Sequence, residues 1–429
     1  MKRVYMAKFY KFDSGLTVLY EQNKINKSTS IEVSFDCGAR CDDKLPGLSH
    51  FCEHMFFTGT NTLTKQEVTK RYYDFINVNA YTTNTEIVFT GNIITNKLSH
   101  YLATVADMIC NSTFKQKAVE DEQKVVVQEI LQYSDNPIRS AEKLFYYDIY
   151  GLEYLKNGVL GSVNTVTQIK SKDVKKYIKK YFVKNNCIIS VVSPLSFNRI
   201  KQIIKKYFEA LLPSNNLTKL PYMENVLAEG EKVSIYNADI SKNYLSLVFK
   251  FKQKGPDLKY RVIMGTICNI IDDISDGLTK ELRIDNSLIY GMGSDYMINK
   301  NNSYLELRTE ISSENIKSCI DIIMQYISNL KNNGFTKQQL ARELEKDEYY
   351  WQTKVNKPKN ICNELNRYRF YGKFVSDKQI HKEIQKLTLV EVNDRLKELL
   401  SGAQIQAFVY GNTAKNQMYT IKQIKKKFN

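Results

Sequence analysis

The sequence predicts an α+β fold: two homologous mixed α/β-layer domains in tandem, each with helices packed on a layer of strands. Three observations predict it. The chain has 429 residues, too many for one ordinary compact core. Short segments with the period-2 alternation of strands are interleaved with segments of helical periodicity along its whole length. The order of these segments also repeats. Val174 to Phe208 reads as a helix, the strand Cys187-Ile188-Ile189-Ser190-Val191-Val192, and a helix containing Ile200-Lys201-Gln202-Ile203. Val392 to Phe428 reads as a helix, the strand Ile405-Gln406-Ala407-Phe408-Val409-Tyr410, and a helix containing Ile421-Lys422-Gln423-Ile424. Earlier strands correspond as well: Ile31 to Phe35 alternates like Leu245 to Phe249, and Glu86 to Ile93 resembles Tyr304 to Glu310.

A polar stretch carrying Pro213 and Pro221 separates the halves. The N-terminal domain is therefore expected over 1–215, a linker over 216–230 and the C-terminal domain over 231–429. Hydrophobic content of 43% and charged content of 25% are those of a soluble globular protein. No apolar run approaches the roughly 18 residues of a membrane span. Met1 to Tyr10 is basic and aromatic but has no apolar signal core, so a cytoplasmic location is expected. The 8 cysteines contain no Cys-x-x-Cys pair, which fits reduced thiols. A net charge of +16 raises nucleic acid as a partner. The lysines Lys175, Lys176, Lys179, Lys180, Lys201, Lys205 and Lys206 alternate with apolar residues at helical spacing, however, which is the pattern of a solvated helix face. With no zinc-finger spacing and no glycine-rich phosphate loop, no nucleic-acid partner is expected.

The chemistry lies in His50-Phe51-Cys52-Glu53-His54. Histidines four apart on a helix project from one face, one turn apart, and can grip a single zinc ion. Glu53 stands beside the open coordination position, where it can move a proton. Only 4 histidines occur in the chain, and two of them are here. His-x-x-Glu-His is the inverse of the commoner His-Glu-x-x-His order. The alternative, a buried amphipathic helix that happens to carry two histidines, explains neither the spacing nor the intervening acid. One zinc ion per chain is the expected cofactor. The corresponding stretch of the second half, Leu258 to Ile271, has no histidine, so one half binds metal and the other does something else.

Two histidines leave a catalytic zinc short of a third protein ligand. Val119 to Ile130 reads as a helix ended by Asn136-Pro137, with Glu122, Val126 and Glu129 on one face. An acid among apolar neighbours needs a partner, and zinc would be one. By spacing alone Glu122 and Glu129 are both candidates.

At this point the chain resembles the M16 metallopeptidase family over essentially its whole length. Gly47-Leu48-Ser49-His50-Phe51-Cys52-Glu53-His54-Met55 matches the family's Gly-x-x-His-Phe-x-Glu-His-Met, and Glu129 follows His54 by 75 positions, with Glu122 seven before it. The resemblance implies Glu129 as third ligand, Glu122 as its supporting carboxylate, and Glu53 as general base of a zinc endopeptidase. It implies LuxS/MPP-like domains forming half of a clamshell chamber. It also implies that the segment Asn79-Ala80-Tyr81-Thr82 is an edge strand to which a peptide adds, with Asn79 and Ala80 contacting substrate. The family often has two glycines just ahead of that strand, where this chain has Phe75-Ile76-Asn77. Arg283 and Tyr290 match a pair that the family uses to bind substrate from the opposite half of the chamber. Two domains rather than four imply the short, dimeric branch: a homodimer, or a heterodimer with a related M16 chain. The implied substrates are peptides or unfolded segments, including a leader or presequence. The alternatives within the resemblance are a processing subunit that needs a related partner, and a non-catalytic assembly subunit, which typically loses the zinc motif. Cys52, between the ligands, is expected to pack against the core rather than touch the metal, and thiol sensitivity is expected because alkylation there would block the site.

Overall fold

The computed structural model describes residues 7–214, 227–252, 257–298, 302–354 and 357–428. Most of the expected linker, 216–226, lies outside the described residues.

Two compact units form, and the chain passes between them more than once. The first comprises Met1–Asn136, Leu152–Tyr222 and Val355–Ser376, and the second Pro137–Gly151, Met223–Lys354 and Asp377–Asn429. The first unit holds a six-stranded sheet made of β1 (Lys8–Lys11), β2 (Thr17–Gln22), β3 (Ser28–Phe35), β4 (Val78–Thr82), β5 (Ile87–Ile94) and β6 (Cys187–Ser193). Its order is β1-β2-β6-β3-β5-β4, antiparallel throughout except for the β2–β6 pair. The second unit holds β7 (Lys232–Asn237), β8 (Asn243–Lys252), β9 (Met292–Ile298), β10 (Asn302–Ile311) and β11 (Gln404–Gly411). Its order is β7-β11-β8-β10-β9, with β7–β11 the parallel pair. Apart from β1 the two sheets have the same order and the same strand senses. The strand correspondences read from the sequence (β3 with β8, β5 with β10, β6 with β11) occupy equivalent places, so the expected α+β repeat is present.

Alternation along β3 sends Ile31, Val33 and Phe35 into the core of the first unit. There they meet Phe51 and Met55 from helix α1 (Leu48–Met55) and Leu102 and Val105 from helix α3 (Leu98–Asn111), while helix α2 (Lys65–Tyr73) adds Val68 and Tyr72. The same rule on β8 buries Leu245, Leu247 and Phe249 in the second unit. The opposite faces of these strands are polar, and alternation alone would leave them to water. They are buried instead. Ser30, Glu32 and Ser34 of β3 lie beneath the helix Pro358–Tyr371, whose Asn366 amide donates to Glu32 and whose Arg369 pairs with Asp36 and Glu86. In the second unit the same service comes from helix α5 (Pro137–Tyr150), which follows α4 (Gln116–Ser134). Phe145 packs edge-on against Phe408 of β11, at 5.6 Å between ring centres, and Asp148 meets Gln406. Among the described residues no helix is long and apolar enough to cross a membrane.

The turn between α2 and β4 is strained. Ile76 takes φ of 70°, a left-handed conformation that a β-branched residue adopts only at a cost of about 1–2 kcal/mol. Its side chain is 85% exposed, so no burial compensates. It falls in Phe75-Ile76-Asn77, where this chain departs from the two glycines the family often has. Ile76→Gly is expected to raise stability by about 1 kcal/mol, after allowing for glycine's freer unfolded chain. Urea unfolding checks it, and a lowered midpoint would contradict it.

Candidate metal centre

Helix α1 is aimed by its start. Gly47 takes φ of 93°, and a Cβ there would lie 2.5 Å from the Leu160 carbonyl oxygen, so only glycine fits. Gly47 offers no capping side chain. The Asp42 carboxylate supplies the cap instead, accepting from the Gly47 amide at 2.7 Å and the Ser49 amide at 2.8 Å. Burial pushes the Asp42 pKa up to about 7 in spite of those amide donors. One side of α1 carries Phe51, Cys52 and Met55 into the core, and the helix turns His50 and His54 toward α4.

On α4 the buried face is Val119, Glu122, Val126 and Ile130, and Glu129 lies at its margin, partly exposed. His54 Nε2 is 3.3 Å from Glu129 Oε2, and His50 Nε2 is 3.7 Å from the same oxygen. The two imidazoles stand 4.6 Å apart between ring centres. Among the described residues His50, His54 and Glu129 are the one group of this kind with ligand atoms all within 4.8 Å of one another. A tetrahedral zinc with bonds of about 2.0–2.2 Å separates its donors by roughly 3.3–3.6 Å, which matches the two nitrogen–oxygen spacings closely. The donor set fits zinc in type as well: two imidazoles and a carboxylate, leaving one position open.

The surrounding groups prepare the donors. His54 Nδ1 is 3.0 Å from Glu122 Oε1, so its other nitrogen, Nε2, is left to face the metal position. Lys65 Nζ donates to the second Glu122 oxygen at 2.7 Å. Burial and the neighbouring His54 push the His50 pKa down to about 4, which keeps it in the neutral form that can ligate. Burial also opposes a charge on His54, but hydrogen bonds to Glu122 and Glu129 outweigh it and raise its pKa to about 9. In the absence of a metal the carboxylates hold a proton there; a divalent cation would displace it. Glu53 is buried, and burial raises its pKa, opposed by a hydrogen bond from Thr82 Oγ1 to Glu53 Oε2 at 2.7 Å. For Glu122 the burial penalty is overcome by His54 and Lys65, and its pKa is lowered.

The structure thus brings His50, Glu53, His54, Glu122 and Glu129 together. Asn79 and Ala80 lie on β4, which closes one end of the sheet and pairs with β5 alone among the described residues. The Asn79 carbonyl accepts from the Tyr72 hydroxyl at 2.8 Å. Thr82 ends the same strand, so the residue holding Glu53 and the strand edge are one element. Arg283 and Tyr290 belong to the second unit, where the guanidinium lies over the Tyr290 ring at 4.8 Å and the ring is 82% exposed. Cys52 is fully buried and burial pushes its thiol far up, which removes the basis for thiol sensitivity and leaves packing as its role. Sequence reasoning gave no role to Lys65, Asp42 or the Thr82 hydroxyl.

Comparison with known proteins places the chain. The insulinase description of peptidase family M16 matches residues 17–163, and the peptidase M16 inactive domain matches residues 168–346. An uncharacterized zinc protease of Bacillus subtilis (strain 168) is 25% identical over 404 residues, covering 92% of this chain and 96% of the relative. The mitochondrial-processing peptidase subunit beta of Caenorhabditis elegans is 21% identical over 404 residues, covering 91% and 87%. Among solved structures, a peptidase M16 inactive domain from Pseudomonas fluorescens superposes with a TM-score of 0.83 at 16% identity, covering 95% of this chain and 98% of that one. The first half of the periplasmic protease PqqL from Escherichia coli gives 0.80 at 17% identity, covering 99% and 97%. These structures share the fold of two tandem domains. Residues 17–163, which carry His50 and His54, match the insulinase domain, and residues 168–346, which contain no histidine, match the inactive one: the chain belongs to peptidase family M16.

Proposed function

We propose that the protein is a zinc-dependent endopeptidase that cleaves peptides or unfolded segments. The observation that carries this reading is a buried glutamate, Glu53, one residue from a ligand in a set that fits zinc, and hydrogen-bonded to a sheet edge able to take an extended chain. His50, His54 and Glu129 would hold one zinc per chain, and Glu122 would fix the His54 tautomer. Zinc, when bound, would polarise the scissile carbonyl and acidify a water molecule. Glu53 accepts the proton of that water as general base and returns it to the leaving amine. Thr82 keeps the Glu53 carboxylate oriented for both transfers. A substrate strand lies along β4 past Asn79 and Ala80, held by backbone pairing that demands little of its sequence.

The finer reading is a closed dimeric chamber in which Arg283 and Tyr290 donate hydrogen bonds to substrate at the partner subunit's metal site, in the cytoplasm. Leader or presequence removal belongs to the same reading. The mitochondrial-processing peptidase beta subunits among the relatives favour a second possibility, a heterodimer with a related chain. A non-catalytic assembly role conflicts with the presence of all four of His50, Glu53, His54 and Glu129.

The test is cleavage of a panel of unstructured peptides by the purified chain alone. Cleavage is expected, and equal mixing of Arg283→Ala and Glu53→Gln chains is expected to restore part of the activity that each lacks. No cleavage by the chain alone, with cleavage after a related M16 chain is added, would favour the heterodimer. No cleavage in either case, with zinc bound, would overturn the peptidase reading.

A further inference from the structure

We infer that Lys65 is a positioning residue of the metal site, acting through Glu122 on His54. This rests on the zinc reading above and assigns a residue that neither the motif nor the comparisons mark.

Lys65 is the first residue of α2, directly after Thr64. Thr64 and Glu67 form a reciprocal capping box, with Thr64 accepting from the Glu67 amide and the Glu67 carboxylate accepting from the Thr64 amide. The cap fixes where the helix begins and therefore where Lys65 leaves the backbone. A cation in the first turn opposes the helix dipole. A half-exposed lysine could also extend into water at no cost. Its ammonium lies instead 2.7 Å from Glu122 Oε2, on a carboxylate whose side chain is only 7% exposed. The other oxygen of that carboxylate, Oε1, faces His54 Nδ1 at 3.0 Å. Lysine, glutamate and histidine thus form a chain that ends at a metal-facing nitrogen.

Charge counting gives the same result. Glu53, Glu122 and Glu129 bring three negative charges to a largely buried site. Two neutral imidazoles and a divalent cation leave one negative charge in excess, and Lys65 balances it. An ordinary surface ion pair is worth little. This pair differs because one partner is buried and has two jobs. Among the described residues Lys65 is the donor at Glu122 Oε2, and without it the carboxylate is free to turn away from His54 toward other donors. Loss of such an outer partner typically costs 10–100-fold in metal affinity.

The experiment is zinc competition against a chromophoric chelator, using the full chain, with thermal unfolding of the metal-free proteins as the check on folding. Lys65→Met is expected to weaken zinc binding about tenfold, and Lys65→Arg to stay within about threefold of wild type. Lys70→Met, on the same helix and paired with exposed Asp74 at 3.7 Å, is expected to leave affinity unchanged. The decisive comparison is a double-mutant cycle: in a Glu122→Gln background, Lys65→Met is expected to cost nothing further. Wild-type affinity in Lys65→Met, or an undiminished tenfold loss in the Glu122→Gln background, would overturn the inference while leaving the zinc reading intact. A wild-type chain that takes up no zinc overturns both, and that result is seen before any variant is compared.

Discussion

Glu53→Gln is expected to lower kcat for peptide hydrolysis about a thousandfold while zinc content stays at that of the wild type. The substitution keeps shape and removes only the ability to take a proton, and general base catalysis is worth roughly 10²–10⁴-fold. The Thr82 hydroxyl can donate to the glutamine oxygen as it does to the carboxylate, so the local geometry is preserved. KM is expected to change little, because Glu53 is not a substrate anchor in this reading. Stability is expected to hold or to rise slightly, since burial penalises the charged carboxylate and the amide carries no charge. Steady-state kcat and KM, metal content and urea midpoints on the same preparations check all four. Activity above a tenth of wild type, or loss of the metal, would contradict the assignment.

Asp148→Ala is expected to destabilise the second unit by about 3 kcal/mol, the range seen when one partner of a buried charge network is removed. An aspartate in the last turns of a helix opposes the helix dipole and has poor helix propensity, so α5 tolerates it for a reason outside the helix. Its Oδ1 accepts from Lys232 at 2.6 Å, Ser234 at 2.9 Å and Tyr236 at 3.3 Å, and its Oδ2 accepts from the Gln406 amide. Alanine would leave the fully buried Gln406 amide without this acceptor and Lys232 without its counter-ion. The chain's 1 tryptophan, Trp351, lies in this unit, stacked on His381 at 4.8 Å, so its fluorescence reports the unit directly. The urea midpoint followed at Trp351 is expected to fall by about 1–2 M. A fall equivalent to less than about 0.5 kcal/mol would show that α5 is held by its aromatic contacts alone.

These two residues mark how much was legible in the sequence. Local spacing carries much of the candidate metal centre: His50, Glu53 and His54 are neighbours on one helix, and Glu122 and Glu129 lie seven apart on another. Spacing left both acids open as third ligand, however, and only the family resemblance chose Glu129. The repeat likewise matched β3 and β5 to β8 and β10, because an apolar strand face leaves a period-2 trace, and β6 to β11 through the helix–strand–helix order around each. Asp148 was invisible for the opposite reason. Its four partners are distant in sequence, and a polar strand face reads the same whether it meets water or a polar helix. The helices Pro137–Tyr150 and Pro358–Tyr371, which cover those faces, carry no motif that ties them to those strands. Lys65 and Thr82 were hidden similarly, since their partners Glu122 and Glu53 lie 57 and 29 residues away. At Ile76 a left-handed backbone persists in spite of the residue, which propensity alone would have argued against.

The most direct test of the account is an anomalous-scattering map of the zinc-loaded protein, collected at the zinc absorption edge. One peak per chain is expected, about 2.0–2.2 Å from His50 Nε2, His54 Nε2 and a Glu129 carboxylate oxygen, with Glu122 outside bonding distance. A peak bonded to Glu122 in place of Glu129, a peak elsewhere in the molecule, or no peak in fully loaded crystals would contradict the metal centre and the peptidase reading built on it.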